Sequence, residues 1–294
     1  MKTLIALATL IATTAMASEA IAPYLASISV TVRAQAGYRK AEGSGTLFKR
    51  KVGTNDVYFC FTAGHVIEHL RSVRDVIVDG KPVKKVSFAD PSLVRKLRNP
   101  KTGRIVGEVV VSARVIKFSK GDDEDLAILR VMADKLGANK GLKFRSATAG
   151  LVPLGTTLTH CGSLLGSDGA NSITTGILSQ HGRLIGKVDF CQSTGVAFPG
   201  SSGGGVCTSK DGLYMGMLVR GTSVQGFNLL VPVQRMYAWC KRNKIEWAMD
   251  ASRKVTEAEI AKVAVEDSGF KGGATIDKKL YPYLIRTTNE NGGE

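Results

Sequence analysis

The chain has 294 residues, with 40 Lys and Arg against 25 Asp and Glu, and a formal net charge of +15. A composition of 44% hydrophobic and 22% charged residues argues against disorder and allows one large domain or two small ones with a full core. Beyond the first 17 residues no apolar run is long enough to span a bilayer, which argues against transmembrane helices.

Residues 1–17 have the three parts of a secretory signal peptide. Lys2 gives a positive start, Leu4–Ala12 is apolar, and Ala15-Met16-Ala17 is a small-x-small cleavage site. An N-terminal membrane anchor is the alternative, but its apolar run would have to be longer. We therefore expect cleavage before Ser18 and a soluble, exported protein, either secreted or periplasmic.

The five cysteines are an odd number, so at least one of them is unpaired. Export allows disulfides, while buried free thiols that pack as small hydrophobic groups are an equally good interpretation. Their spacing is not that of metal ligands, and we expect no metal site and no cofactor. They are Cys60, Cys161, Cys191, Cys207 and Cys240.

Positive charge is concentrated between Arg71 and Gly121, where thirteen Lys or Arg face four acids. Such a stretch could contact nucleic acid, but no aromatic platform or nucleic-acid motif accompanies it. A solvated basic loop, or one that touches an anionic envelope surface, is the preferred interpretation. Within it, the charged segment Asp90–Arg104 with its two prolines is predicted to be a surface insertion.

The first half of the chain reads as a series of β-strands separated by turns. Val57–Thr62 is rich in β-branched and aromatic residues and is predicted to be a buried strand. The other predicted strands are Leu25–Ala34, one opening at Gly43–Phe48, Asp75–Asp79, Val83–Phe88, Ile105–Phe118 and Asp125–Val131. The acidic run Asp122-Asp123-Glu124 before the last of these is expected to be a solvated turn.

After a connector over residues 132–155, short strands resume at turn-separated spacing. They are predicted over Thr156–Gly162, Ser172–Ser179, Lys187–Ser193, Leu213–Val219 and Phe227–Val231. This pattern favours closed antiparallel barrels over a parallel α/β sheet.

The C-terminal part changes to helical spacing. Pro232–Arg242 is predicted to be a helix, and Thr256–Glu259 fits a capping box that opens a second helix through about Glu266. From Ser268 the tail is predicted to be loose.

Three polar residues stand at the edges of these strands in the order His, Asp, Ser. His65 follows the strand ending at Thr62, Asp125 begins the strand ending at Val131, and Ser202 lies in the glycine-rich run Phe198–Val206. Glycines allow a turn that exposes a hydroxyl and leaves backbone amides free to bind an anion. A nucleophile, a general base and a carboxylate that orients the base are what acyl transfer requires. By itself the glycine run could equally be a flexible linker.

At these residues the sequence resembles the trypsin/chymotrypsin-like serine proteases, and most closely their compact bacterial HtrA-type branch. The resemblance covers roughly Ala26 to Val233, departs from the family at Ser201 and Gly205, and includes no PDZ module. It is carried by six motifs in order: Gly43-Ser44-Gly45, Thr62–Ile67, Asp125–Leu129, Thr174–Ser179, Phe198–Gly204 and Gly226–Pro232.

The resemblance implies an all-β protein of two antiparallel Greek-key barrels with C-terminal helices. The expected protease domain covers residues 18–245, with barrel one at about 24–135, barrel two at about 141–235 and a closing helix at about 232–242. Residues 246–294 would then form a C-terminal helix and loose tail.

The resemblance also implies roles for individual residues. His65 would be the general base, Asp125 its orienting carboxylate and Ser202 the nucleophile, with the amides of Gly200 and Ser202 forming the oxyanion hole. The other histidines, His69, His160 and His181, are not expected to take part in catalysis.

The resemblance extends to the substrate pocket and to a disulfide. Val196 matches the base of the primary pocket, with Gly221 and Gly226 as its walls, which predicts an apolar P1 residue. Cys161 and Cys207 lie near a bridge of mammalian family members and are the expected pair.

Polypeptides are thus the expected substrates, and the expected activity is that of an exported serine endopeptidase. Two rivals belong to other classes: a catalytically silent protease fold that only binds a partner, and a nucleic-acid or envelope binder that uses the basic stretch.

Overall fold

The computed structural model describes residues 21–133, 136, 142–185, 188–221, 226–267 and 269. Its strands are β1 (Ser29–Ala36), β2 (Arg39–Val52), β3 (Asn55–Thr62), β4 (Arg71–Val78), β5 (Lys81–Phe88), β6 (Ser92–Arg98), β7 (Ile105–Phe118), β8 (Ala127–Val131), β9 (Thr157–Leu164), β10 (Gly169–Ile185), β11 (Val188–Ser193), β12 (Gly205–Thr208), β13 (Tyr214–Gly221) and β14 (Asn228–Pro232). The helical segments are α1 (21–28), α2 (Gly64–Ile67), α3 (Val233–Arg242) and α4 (Glu257–Ala261), with 3₁₀ turns at Glu68–Leu70 and Glu246–Ala248.

Two closed antiparallel barrels of six strands each confirm the predicted all-β fold. Barrel one closes in the order β1-β2-β3-β8-β7-β6, and barrel two in the order β10-β11-β14-β13-β12-β9. Closure leaves no open sheet edge in either barrel, which is how antiparallel proteins of this kind avoid unpaired backbone groups.

The buried run at the end of β3 has both of its faces covered. Phe59 packs against Trp247 with ring centroids 4.9 Å apart, and Phe61 packs edge-on against Phe144 at 5.9 Å. Cys60, on the opposite face, is fully buried as well. A strand buried on both faces carries an unbroken apolar sequence instead of an alternating one, which is why this strand was readily predicted.

The prediction of a strand over Leu25–Ala34 is wrong at its start. Residues 21–28 are helical, and Ile21, Leu25 and Ile28 form one buried face at i, i+4 and i+7. The strand begins only at Ser29. A short apolar run fits either period, and the helical one applies here.

The predicted surface insertion over Asp90–Arg104 is also wrong for half of its length. Ser92–Arg98 is the strand that closes barrel one, because it pairs with β1 on one side and β7 on the other. Leu93 and Val94 are buried, whereas the basic residues that suggested a surface loop lie toward the exposed end. The segment that does project is the hairpin of β4 and β5, a separate two-stranded sheet.

At the C-terminal end, α3 lies where it was predicted. The capping box of α4 is present, with Thr256 and Glu259 bonded reciprocally. The helix ends at Ala261, however, and not near Glu266. The chain then runs beside the end of β7: the Phe118 amide donates to the Val265 carbonyl at 2.7 Å, and the Asp267 amide donates to the Phe118 carbonyl at 2.8 Å.

All five cysteines are free and buried, so the expected Cys161–Cys207 disulfide is wrong. Their strands are neighbours, but Cys161 stands opposite Gly205 and Cys207 opposite Thr159. The two residues are therefore offset along the ladder instead of facing each other. The alternative of buried free thiols is confirmed.

The signal peptide predicted over residues 1–17 lies outside the described residues, as does the tail from Ser268 apart from Gly269. In the part of the chain that is described, no helix is both long and apolar enough to cross a membrane. The expected domain boundaries stay predictions.

Candidate active site

His65 is turned into the cleft by a short helix that follows β3. A Cβ on Gly64 would lie 2.0 Å from the Ser119 carbonyl oxygen, so only glycine fits there. Val66 and Ile67 are buried and anchor the helix, while the His65 side chain is 40% exposed. The Ala-Gly-His sequence thus lets an open imidazole sit beside a tightly packed backbone.

Asp125 lies in the loop between β7 and β8 and meets His65 through three contacts. One carboxylate oxygen, Oδ1, accepts the His65 backbone N–H at 2.9 Å. The two carboxylate oxygens lie 3.0 and 2.9 Å from the imidazole Nδ1, and the Asp125 side chain is only 2% exposed. A carboxylate oxygen accepts hydrogen bonds, so the contact fits the tautomer in which Nδ1 donates and Nε2 is an acceptor.

The glycine run forms a tight turn that barrel one holds in position. Gly200 and Gly203 have φ of +94° and +92°, and a Cβ on Gly203 would lie 2.1 Å from the Ser44 carbonyl oxygen. The Ser44 amide donates to the Ser202 carbonyl at 2.7 Å, and the Ser44 hydroxyl donates to the Gly200 carbonyl at 2.7 Å. The flexible-linker interpretation is therefore wrong.

The two serines of the turn have different surroundings. Ser201 is fully buried, and its hydroxyl oxygen accepts the Phe198 amide at 3.1 Å. Ser202 is partly exposed, and its hydroxyl donates to the Val219 carbonyl at 3.1 Å rather than to the imidazole of His65. Val219 lines the same cleft as His65, whereas Ser202 and Gly200 are not among the residues that line it.

The backbone amides of the turn divide in the same way. The Ser201 amide donates to the Phe198 carbonyl at 2.9 Å, and the Gly203 amide donates to the Leu218 carbonyl at 2.7 Å. Within the described part of the chain, the Gly200 and Ser202 amides have no acceptor. These are the two N–H groups that the sequence assigned to an oxyanion hole.

The cleft has a volume of about 490 Å³ and receives residues from both barrels. Arg220 crosses it, because its guanidinium donates to the Gly121 carbonyl at 2.8 Å. Of the predicted pocket residues, Gly221 lines this cleft, whereas Val196 (40% exposed) and Gly226 lie outside its lining. The lining residues are His65, Glu68, Gly121, Asp122, Asp125, Val219, Arg220 and Gly221.

The acidic run before Asp125 was predicted to be a solvated turn, and for Glu124 this is wrong. Its carboxylate is 6% exposed and forms ion pairs with Arg235 at 2.8 Å and Arg242 at 2.9 Å. Sequence analysis missed these three residues because the partners lie more than 100 positions apart. The only local signal was the helical spacing that places both arginines in α3.

The remaining histidines do not reach the cleft lining. His69 contacts the Ala34 carbonyl at 3.1 Å and His181 the Val152 carbonyl at 2.6 Å. His160 is buried behind the glycine turn, with Nδ1 3.3 Å from the Thr174 hydroxyl. Among the described residues no three His, Cys, Asp or Glu side chains are grouped as metal ligands.

Residues 43–217, more than half of the chain, match the trypsin-like peptidase domain family, and the chain belongs to that family. The matched region contains His65, Asp125 and Ser202. A search of curated proteins found no significant match.

Among solved structures, the protein is similar to the HtrA-type protease AlgW with a tripeptide, at a TM-score of 0.50 and 18% identity over 76% of this chain and 62% of that one. A variant of that protease with a tripeptide gives 0.50 and 18% over 75% and 61%. The serine endoprotease from Yersinia pestis gives 0.48 and 18% over 76% and 64%. The chain spans less than two thirds of each of these chains, and at this identity the AlgW likeness shows a shared fold.

Proposed function

We propose that the protein is a serine endopeptidase in which Ser202 attacks the peptide carbonyl, His65 is the general base and Asp125 orients the imidazole. The observation that carries the proposal is the contact of both Asp125 carboxylate oxygens with His65 Nδ1 in a cleft that is also lined by Val219, whose carbonyl accepts the Ser202 hydroxyl. Family membership supports the same reaction class.

In this mechanism Asp125 keeps the proton on Nδ1 and leaves Nε2 free to receive the proton of the Ser202 hydroxyl. The hydroxyl would first exchange its bond to the Val219 carbonyl for one to Nε2. Attack forms a tetrahedral oxyanion that the Gly200 and Ser202 amides stabilise. Collapse releases the amine, which takes the proton from His65, and water then hydrolyses the acyl-enzyme by the reverse roles.

Fluorophosphonate labelling tests the assignment of the nucleophile. We expect Ser202→Ala to abolish labelling, because it removes the partly exposed hydroxyl of the turn, which is bonded to the cleft-lining Val219. Ser201→Ala should still label, since that hydroxyl is buried and the change only leaves the Phe198 amide without its acceptor, at about 1–3 kcal/mol of stability. Labelling that survives Ser202→Ala would refute the assignment.

The rival class, a silent protease fold that only binds peptides, predicts a different result from the same experiment. A folded wild-type protein that is not labelled, yet retains casein-derived peptides on a column, would favour that class over an enzyme.

We also propose an apolar preference at the P1 residue, with Val196 at the base of the pocket and Gly221 and Gly226 at its walls. An apolar base offers no partner to a buried ammonium or guanidinium group, which is costly to leave unpaired. Profiling of a peptide library by mass spectrometry should give cleavage mainly after Val, Leu, Ala or Phe, and none of it with Ser202→Ala. Cleavage mainly after Lys or Arg would contradict this assignment of the pocket.

We further propose that residues 1–17 direct export and are then removed. N-terminal sequencing of the protein recovered from the medium or periplasm should begin at Ser18. An uncleaved N-terminus would contradict the proposal.

A contact with an anionic envelope surface is the last proposal, supported by the β4–β5 hairpin. This sheet exposes Ile77 (71%) and Val78 (50%), and it pairs Arg74 directly opposite Lys85. Like charges opposite each other destabilise a hairpin, and an anionic partner would relieve them. Sedimentation should therefore occur with phosphatidylglycerol vesicles and decline with Lys81→Glu/Lys85→Glu. Equal binding to phosphatidylcholine vesicles, or salt-sensitive retention on DNA instead, would overturn it.

A further inference from the structure

The loop that carries Asp125 is held by three arginines of barrel two and the helix that follows it, Arg220, Arg235 and Arg242, here called the arginine brace. Arg220 belongs to β13, and the other two belong to α3. All three bond to residues between Gly121 and Glu124, immediately before Asp125.

Arg235 makes the most extensive of these contacts. Its Nε donates to the Glu124 carboxylate at 2.8 Å, and its Nη2 donates to the Glu124 backbone carbonyl at 2.5 Å. Nη1 donates to the Asp189 carbonyl of β11 at 2.5 Å, so one guanidinium joins the two barrels. Its side chain is 11% exposed, and solvent therefore screens these contacts little.

Arg242 completes the neutralisation of Glu124. Its Nη2 lies 2.9 Å from the second Glu124 oxygen and 2.7 Å from the Asp267 carboxylate. Arg235 and Arg242 thus balance Glu124 and Asp267, two charges of each sign. Asp267 is linked in turn to barrel one, because its backbone amide donates a hydrogen bond to the Phe118 carbonyl.

The ring of Phe190 packs against two arginines of the brace. The guanidinium of Arg235 lies 4.8 Å from the centre of its ring, and that of Arg220 lies 5.4 Å from it. Stacking on one aromatic ring fixes both planar groups without using their hydrogen-bond donors. Two of the three arginines thus share one ring of β11, a strand of barrel two.

The supported loop has a conformation that requires support. Asp125 has φ of +54°, in the left-handed region that a non-glycine residue rarely adopts. Such a conformation persists only where the surroundings over-determine it, and it costs about 1–3 kcal/mol. The Asp125 amide donates to the Lys120 carbonyl within the loop at 3.0 Å, and the arginine bonds to Gly121 and Glu124 add a constraint from outside the loop.

We propose that Arg235, assisted by Arg242 and Arg220, is a positioning residue. It holds the carboxylate of Asp125, and through it the imidazole of His65, in the correct position relative to the nucleophile turn. The inference rests on the proposed function, in which His65 and Asp125 come from barrel one and Ser202 from barrel two. A brace across the two barrels then fixes the relative placement of base and nucleophile.

Arg235→Gln tests the proposal on the full chain. We expect kcat for a fluorogenic peptide to fall about tenfold or more with KM within twofold, and the low-field proton resonance of His65 Nδ1–H to broaden or disappear. Arg235→Lys keeps the charge but cannot bond Glu124 and Asp189 at the same time. Its kcat and its resonance should therefore lie between those of wild type and those of Arg235→Gln. The control Arg130→Gln removes the exposed ion pair of β8 with Glu257 and should leave both readouts unchanged.

The outcomes are distinguishable. If wild-type protein does not react with fluorophosphonate, the proposed function fails, while the low-field resonance still tests the brace. If wild-type protein reacts and a folded Arg235→Gln variant keeps both kcat and the resonance, the brace is overturned. Should Arg235→Gln not fold, Arg235→Lys gives the same decision: wild-type kcat and resonance overturn the proposal, and a joint loss of both supports it.

Discussion

His160 lies directly behind the turn that carries Ser202, and its ring limits what that turn can contain. A Cβ on Gly204 would lie 2.3 Å from the His160 Nε2, so the glycine is required by packing. Burial lowers the pKa of His160 to about 4 and outweighs a hydrogen bond with the Ser201 backbone, which raises it. The turn that carries the candidate nucleophile therefore packs against a neutral, buried imidazole.

The depressed pKa of His160 predicts a pH-dependent stability. The unfolded chain takes up a proton at the ordinary pKa of 6.5 and the folded chain only near 4, so stability is full above 6.5 and falls as the pH drops toward 4. In urea unfolding, the free energy of unfolding of His160→Gln should depend less on pH in this window than that of wild type. His69→Gln is the control for a partly exposed histidine, and equal slopes for all three proteins would contradict the prediction.

At the scale of elements, β2 joins the barrels through the Gly43-Ser44-Gly45 segment. The hydroxyl of Ser44 donates to the Gly200 carbonyl and accepts the Ser163 amide, both at 2.7 Å. The carbonyl of Ser44 accepts the hydroxyl of Thr62 at 2.8 Å, at the end of the strand that leads to His65. One serine thus connects the strand before His65 with the glycine turn that carries Ser202.

Ser44→Ala should therefore cost both stability and activity. It leaves the Ser163 amide and the Gly200 carbonyl without their partner, and an unpaired buried group costs about 1–3 kcal/mol. Because Gly200 carries a proposed oxyanion donor, the fluorophosphonate labelling rate should also fall. Ser72→Ala, which removes an exposed serine pair of the hairpin, should change the free energy of unfolding by less than about 0.5 kcal/mol. Similar losses in both variants would contradict the prediction.

The sequence predicted best where one element is self-sufficient. The strand ending at Thr62 is apolar throughout, and the capping box at Thr256 is a local motif, so neither needed knowledge of distant residues. The predictions failed where the deciding partner is remote. Glu124 was predicted to be solvated because its partner Arg235 lies 111 residues away in the sequence. The strand Ser92–Arg98 was missed because its charged end outweighs its two buried residues in the sequence pattern.

At the scale of the whole molecule, the barrels also meet through polar contacts of residues that do not line the cleft. The Glu42 carboxylate of β2 accepts the Arg33 guanidinium at 2.8 Å and the Ser167 amide of barrel two at 2.8 Å. Thr31 and Ser163 bond across the same junction at 2.6 Å. Burial raises the pKa of Glu42, but the bonds from Arg33 and Ser167 outweigh it and lower the pKa to about 2.

Glu42 should consequently contribute stability that depends on its ionised form. The contribution is complete above the ordinary pKa of 4.5 and is lost as the pH falls toward 2. Glu42→Gln should lower the melting temperature at pH 7, and the difference from wild type should shrink on acidification to pH 2.5. Glu108→Gln, which breaks an exposed pair with Lys96, is the matched control and should hardly matter. A difference for Glu42→Gln that is independent of pH would contradict the assignment.

The five unpaired, buried thiols allow local unfolding of the protein to be measured by alkylation. Only a thiolate alkylates readily, and burial raises the pKa of Cys161 and Cys191 to about 11. A brief pulse of iodoacetamide will therefore mark only molecules in which a strand or helix has come apart. Because Cys60 marks barrel one, Cys240 marks α3 and the remaining three mark barrel two, the order in which they react records which unit separates first.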